Sequence, residues 1–254
     1  MTFGSLFAGI GGLDLGLERA GMECRWQVEI DPYCRRVLTK HWPDVPKYED
    51  VKDVGKGNLE PVDLICGGFP CQDISYAGKG AGLAGERSGL WYEFARIIGE
   101  MGPRYVLVEN VSALLTRGLG DVLGTLADLG YDAEWSVLPA CAVGAPHPRE
   151  RVFLVAYPAG LAVEEPALVR SKGLPGQSGG VGGADVPGDR WKADQPPMVG
   201  VAYGDARWVD VSRSLGNAVV PAVAEFIGRR IMEAPRQNPT NTPENTTAVN
   251  TPTE

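Results

Sequence analysis

From residue 1 to about 157, short β-rich runs alternate with helical patterns, and no other feature constrains the fold of this chain as strongly. Strands separated by helices pair in parallel, because each helix is the crossover that brings the chain back to the same side of the sheet. Strands are expected at 2–7, 25–29, 62–66, 105–109, 134–138 and 151–156. An apolar-periodic helix follows the first strand, from Leu13 to Ala20. Asp31-Pro32 reads as an N-cap with proline at the first helical position, opening a helix through about His41, and Gly102-Pro103 closes another. At 254 residues there is room for one α/β domain carrying a small insert.

The texture changes at Pro158. The stretch 158–208 holds 10 Gly and 6 Pro, a composition of loops, and reads as an insert between two parts of one domain, 1–157 and 209–233. The second part carries a turn and a helix from Ser214 to Ile231, with Val219, Val223, Phe226 and Ile227 on one side. Residues 234–254 hold 4 Pro, 6 Thr and 4 Asn with almost nothing apolar, so a disordered, dispensable tail is expected.

Composition removes several classes of function. Uninterrupted apolar runs such as Val152 to Tyr157 are far too short to cross a bilayer, and no basic leader precedes an apolar segment at the N-terminus, so a cytoplasmic protein without a membrane span is expected. Five cysteines (Cys24, Cys34, Cys66, Cys71, Cys141) with no CxxC pair argue against both a disulfide framework and a zinc site. A net charge of −8 counts against a nucleic-acid partner, unless arginines line a local cleft on an otherwise acidic body.

Chemistry enters through a short series of motifs in order along the chain. Phe7-Ala8-Gly9-Ile10-Gly11-Gly12 follows the first strand and leads into a helix, a loop that lets backbone approach a ligand. Seventeen residues after Gly12, Glu29 ends the second strand, where an acid can accept from both hydroxyls of a ribose, and Asp50-Val51 falls where a third strand would end. Gly67-Gly68-Phe69-Pro70-Cys71-Gln72 follows a buried strand and sets a cysteine at a strand's carboxyl end, where α/β sheets place ligands. The Gly-rich segment from Ser75 to Gly89 has the makings of a lid. Glu109-Asn110-Val111 brings a carboxyl from the next strand to the same edge. In His147-Pro148-Arg149-Glu150-Arg151, two arginines at alternate positions point to one face, which suits phosphate or ring-oxygen contacts.

Taken in order, these motifs resemble the cytosine carbon-5 DNA methyltransferase family over 1–157 and 209–231. The resemblance implies a Rossmann-like, S-adenosylmethionine-dependent fold with a mostly parallel sheet and 158–208 as a small target-recognition domain. It implies a monomer acting on double-stranded DNA without a metal. Cofactor contacts carry over to Phe7, Ala8, Gly9, Gly11, Gly12, Glu29, Ile30, Asp50, Val51, Pro70, Leu90, Asn217 and Ala218. The closing motif is matched by Leu215-Gly216-Asn217-Ala218-Val219-Val220-Pro221. Cys71 is implied as the nucleophile, with Glu109, Arg149 and Arg151 as catalytic partners and Gln72, Ser75, Arg149 and Arg151 as DNA contacts. The family has glutamine where this chain has His147, and its recognition domain is longer, so few base contacts and a short target are expected. The compact form resembles solitary methyltransferases of phage or mobile elements. A tRNA methyltransferase of the same architecture, a catalytically silent DNA-binding homologue and a cysteine enzyme acting on free pyrimidines are the alternatives.

Overall fold

The computed structural model describes residues 1–70, 89–160 and 216–234. Along the chain come β1 (Thr2–Leu6), α1 (Gly12–Arg19), β2 (Glu23–Val28), α2 (Pro32–His41), β3 (Lys47–Tyr48) and β4 (Leu64–Gly67). There follow α3 (Gly89–Met101), β5 (Tyr105–Val111), α4 (Leu114–Arg117), α5 (Leu119–Asp128), β6 (Tyr131–Pro139), β7 (Glu150–Pro158) and α6 (Pro221–Glu233). The seven strands form one sheet in the order β3-β2-β1-β4-β5-β7-β6. β1 to β5 are parallel, and β7 runs antiparallel to both β5 and β6.

All six expected strands are present, but the fifth of them is longer than its apolar pattern suggests. The expected 134–138 is widened to Tyr131–Pro139 because β6 pairs with β7 along its whole length, from Tyr131 opposite Pro158 to Pro139 opposite Glu150. Main-chain hydrogen bonds extend a strand past the point where side chains signal it. The capped helix is where the sequence puts it: the Asp31 carboxylate accepts from the amides of Tyr33 and Cys34, and Pro32 occupies the first turn.

Both faces of the sheet are covered, as the near-continuous apolar strands require. On β5, Val106 and Val108 join a cluster with Trp91, Phe94 and Ile97 of α3, while Tyr105 and Leu107 join Leu13 and Leu17 of α1 and Val223 and Ile227 of α6. Successive residues thus enter opposite layers. The buried row of α6 is Val223, Ala224, Ile227, Gly228 and Ile231. Phe226, expected in that row, is only partly buried and lies under the Arg230 guanidinium, 5.3 Å from its ring centroid.

Helices α1 and α6 meet through glycine. A Cβ on Gly16 would stand 2.4 Å from the Ala224 Cβ, and one on Gly228 would stand 2.8 Å from the Ala20 Cβ, so the helices approach closer than any side chain allows. A similar economy operates in the sheet, where the Trp26 ring lies over Gly4. The strand order reverses between β1 and β4, which opens a crevice at their carboxyl ends.

Candidate active site

β1, β2 and β4 are parallel neighbours, so the loops at their carboxyl ends share one edge of the sheet. After β1 the chain turns through Phe7 (φ +54°), Gly9 (φ +57°) and Gly11 (φ +84°). Phe7 is a non-glycine residue in the left-handed region, a conformation that persists only where the surroundings enforce it. Among the described residues, a Cβ on Gly9 would meet nothing within 4 Å, so on that side the loop borders open space. The Gly9 amide donates to Glu29 Oε2 at 2.7 Å, and the Asp31 amide donates to Oε1 at 2.8 Å. Burial raises the Glu29 pKa, and those two amides pull it back. Each carboxylate oxygen keeps a lone-pair direction for a further donor.

The turn after Glu29 presents Ile30 outward, 62% exposed, while Arg35 donates to the carbonyls of Glu29 and Ile30 at 2.8 and 2.7 Å and fixes that turn. Asp50 caps a short turn at Val51–Asp53 by accepting from the Lys52 amide at 3.0 Å, and Val51 itself is buried in the core. Arg96 of α3 ties this turn down by donating to the carbonyls of Val51 and Val54. Leu90, at the start of α3, is partly buried against the same core.

The second half of the edge holds the acid. Glu109 near the end of β5 is buried, and its pKa is pushed up to about 7, chiefly by burial, with Arg151 and then Arg149 pulling it down. Its Oε1 lies 3.1 Å from Arg151 Nε, an ion pair whose geometry falls short of a well-aligned hydrogen bond, and that oxygen has no other partner among the described residues. Gly68 lets the loop after β4 lie against this carboxyl: a Cβ there would stand 2.7 Å from Glu109 Oε2. Next to it, Asn110 Nδ2 donates to the Phe69 carbonyl at 3.1 Å, and Asn110 Oδ1 accepts from the Val111 amide at 2.9 Å. Phe69, Pro70 and the acid are thereby held as one unit. Arg149 turns elsewhere: its Nη2 donates to the carbonyls of Gly216 and Ala218 at 2.8 and 2.6 Å.

Residues 1–178 match the family model of C-5 cytosine-specific DNA methylases. The chain belongs to that family. Among relatives of this chain, the type II methyltransferase M.HhaI of Haemophilus parahaemolyticus is 34% identical over 161 residues, covering 62% of this chain and 49% of its own. M.Eco47II of Escherichia coli is 42% identical over 160 residues, covering 59% of this chain and 38% of its own. The chain spans about half, or less, of the length of the curated relatives it matches. A candidate DNA modification methyltransferase encoded within an E. coli prophage superposes with a TM-score of 0.56 at 27% identity, over 66% of this chain and 50% of the other. The DNMT2 of Spodoptera frugiperda, with a TM-score of 0.52 at 21% identity over 65% of this chain and 52% of its own, shares the fold.

In this chain the sheet edge gathers Phe7 to Gly12, Glu29, Ile30 and Asp50 on one side of the crevice, and Pro70, Glu109 and Arg151 on the other. Asn217 and Ala218 reach this edge through Arg149. Cys71, Gln72, Ser75, most of the expected lid, most of the insert and the tail after Ala234 lie outside the described residues. The described cysteines are free thiols, with Cys24, Cys34 and Cys66 buried and Cys141 exposed. Three contributors escape a reading by motif. Gly68 and Asn110 sit inside quoted motifs, but their partners lie across a strand pairing. Asp14, wholly buried beneath the glycine loop, accepts from Gln27 Nε2 at 2.8 Å and Ser5 Oγ at 3.2 Å, and its only signal is an acid inside an apolar-periodic helix.

Proposed function

We propose that this chain transfers a methyl group to carbon 5 of cytosine in double-stranded DNA, with S-adenosylmethionine as donor and Cys71 as covalent nucleophile. The observation that carries the reading is Glu109: a buried carboxyl whose pKa is raised to about 7, paired with Arg151 and lying against the backbone that leads into Pro70-Cys71.

The cofactor's chemistry fits the first half of the edge. Glu29 has acceptor capacity left for two ribose hydroxyls, Ile30 offers an exposed apolar surface for an adenine, Asp50 offers a carboxylate beside it, and the open space above Gly9 leaves room for the amino-acid part. Gly12, Val51, Leu90, Asn217 and Ala218 complete that proposed contact set. When bound, S-adenosylmethionine supplies an electrophilic methyl group on a sulfonium.

Carbon 5 of cytosine is a weak nucleophile. The Cys71 thiolate adds to carbon 6, and electron density moves through the ring to carbon 5 and nitrogen 3. Glu109, protonated, donates to nitrogen 3 and neutralises the charge developing there. Arg151, held by the Glu150 carbonyl through Nη1 at 2.9 Å, is placed to donate to the base's oxygen. After carbon 5 takes the methyl, its proton leaves to a base and the Cys71–carbon 6 bond breaks, which restores the aromatic ring and the thiolate. These atoms are buried in a stacked duplex, so the cytosine is flipped out at a cost of a few kcal/mol.

The test is bisulfite sequencing of plasmid DNA from cells producing the full chain, with Cys71→Ala in parallel. Protected cytosines in one short sequence context, absent with Cys71→Ala, are expected. Unprotected DNA with the wild-type chain defeats the reading, and methylated tRNA from the same cells would redirect it to RNA.

A further inference from the structure

We infer that Arg149 is a positioning residue that ties the Glu109–Arg151 edge to the cofactor loop through the segment Gly216–Val219, and is not a contact to DNA phosphate. The inference rests on the functional reading above for what the loop holds, and on geometry for the coupling itself.

Arg149 Nη2 donates to two backbone carbonyls that flank Asn217, 67 and 69 residues further along the chain. Hydrogen bonds from a charged donor are the stronger kind, and two of them on alternate carbonyls fix both position and curvature of a short segment. The Nε of the same guanidinium is buried and has no partner among the described residues, so the group faces protein, whereas an arginine that meets phosphate keeps its donors toward solvent. The backbone agrees. Arg149 has φ +27°, and among the described residues only Phe7 is another non-glycine at positive φ. Such a conformation is maintained when contacts over-determine it.

The clamped segment continues into Val219, whose carbonyl oxygen would lie 2.4 Å from a Cβ on Gly12. Gly12 is the first residue of α1 and directly follows the left-handed Gly11 of the glycine loop. A continuous packed path therefore runs from Arg149 through Ala218 and Val219 to Gly12. At its other end, Arg149 and Arg151 line one small cavity with Phe153 of β7 and Val219, Val220 and Val223 of the returning segment. One side chain thus joins the acid's surroundings to the loop across the crevice, and the positively charged partner left to the base is Arg151.

The experiment compares the full wild-type chain with Arg149→Ala and Arg149→Lys, reading S-adenosylmethionine affinity by calorimetry and duplex DNA affinity by anisotropy. Arg149→Ala is expected to weaken the cofactor about tenfold or more, the loss typical of charged hydrogen bonds, with DNA affinity unchanged. Arg149→Lys, whose ammonium can serve both carbonyls, is expected to recover most of it. A loss of DNA affinity with cofactor affinity intact overturns the inference, as does an equal loss of both. The coupling also has a readout that needs no ligand: amide hydrogen exchange over 7–12 is faster in Arg149→Ala than in the wild type, and Arg149→Lys restores most of the protection. Unchanged exchange there overturns the inference. A wild-type chain that binds no S-adenosylmethionine, alongside faster exchange in Arg149→Ala, defeats the functional reading and leaves the positioning role standing.

Discussion

Burial raises the pKa of both Glu109 and Asp14, and the two carboxyls are expected to make different properties depend on pH. Glu109, raised to about 7 mainly by burial, is the proposed proton donor, and the donor is lost as pH rises through that value. Single-turnover methyl transfer is therefore expected to fall on the alkaline side of about 7, and Glu109→Gln to lose that dependence along with ~10²–10⁴ in rate. A wild-type rate that stays flat through that region contradicts the assignment. Asp14 acts on stability instead. Burial raises its pKa to about 6, against the hydrogen bonds from Gln27 and Ser5 and with Glu18 nearby adding to the rise, while Lys47 feels its charge in turn. The folded state holds this proton more tightly than the unfolded chain. Its contribution is thus fully present below the ordinary carboxylate pKa and is lost as pH rises through about 6. Asp14→Asn keeps an acceptor for Gln27 and offers a donor to Ser5 without the buried charge. Its urea midpoint should exceed the wild type's at pH 8, and the gap should shrink at pH 4; a gap independent of pH would show that burial of charge is not the cause.

At the scale of elements, close approach decides more than propensity does. α1 and α6 lie far apart in sequence and pack through Gly16 and Gly228, so Gly16→Val is expected to force the helices apart. Overpacking of this kind costs about 1–3 kcal/mol, readable in denaturant melts, and here it should also weaken whatever binds beside Gly12, since Gly12 rests on the same returning segment. Asp31→Ala, by contrast, removes a cap from α2 without touching a packed face, and about 1 kcal/mol of lost stability is the expected result. The cap was legible in sequence because Asp31, Pro32 and the amides they serve lie within four residues of one another. The glycine contacts were not legible, because a glycine in a helix looks the same whether it faces solvent or another backbone. Gly4 is a similar case: an interior strand glycine that only the Trp26 ring on β2 explains.

Across the whole molecule, the sheet order is what turns separate motifs into a site. The reversal between β1 and β4 sets the glycine loop and the Gly68-Phe69-Pro70 loop on either side of one crevice. β5 then places Glu109 beside the second loop, and the antiparallel β7 brings Arg151 back opposite Val111. By itself the sequence determined which segments are strands, where the glycine loop turns, and which residues carry thiol, carboxyl and guanidinium groups, since each depends on chemistry within a few neighbouring residues. Only the tertiary structure decided that β7 runs antiparallel, that Asn110 braces the Phe69 carbonyl, and that Arg149 spends its donors on Gly216 and Ala218. Those are contacts between residues tens of positions apart, and nothing local to either partner encodes which distant carbonyl a donor will meet once the apolar faces have been buried.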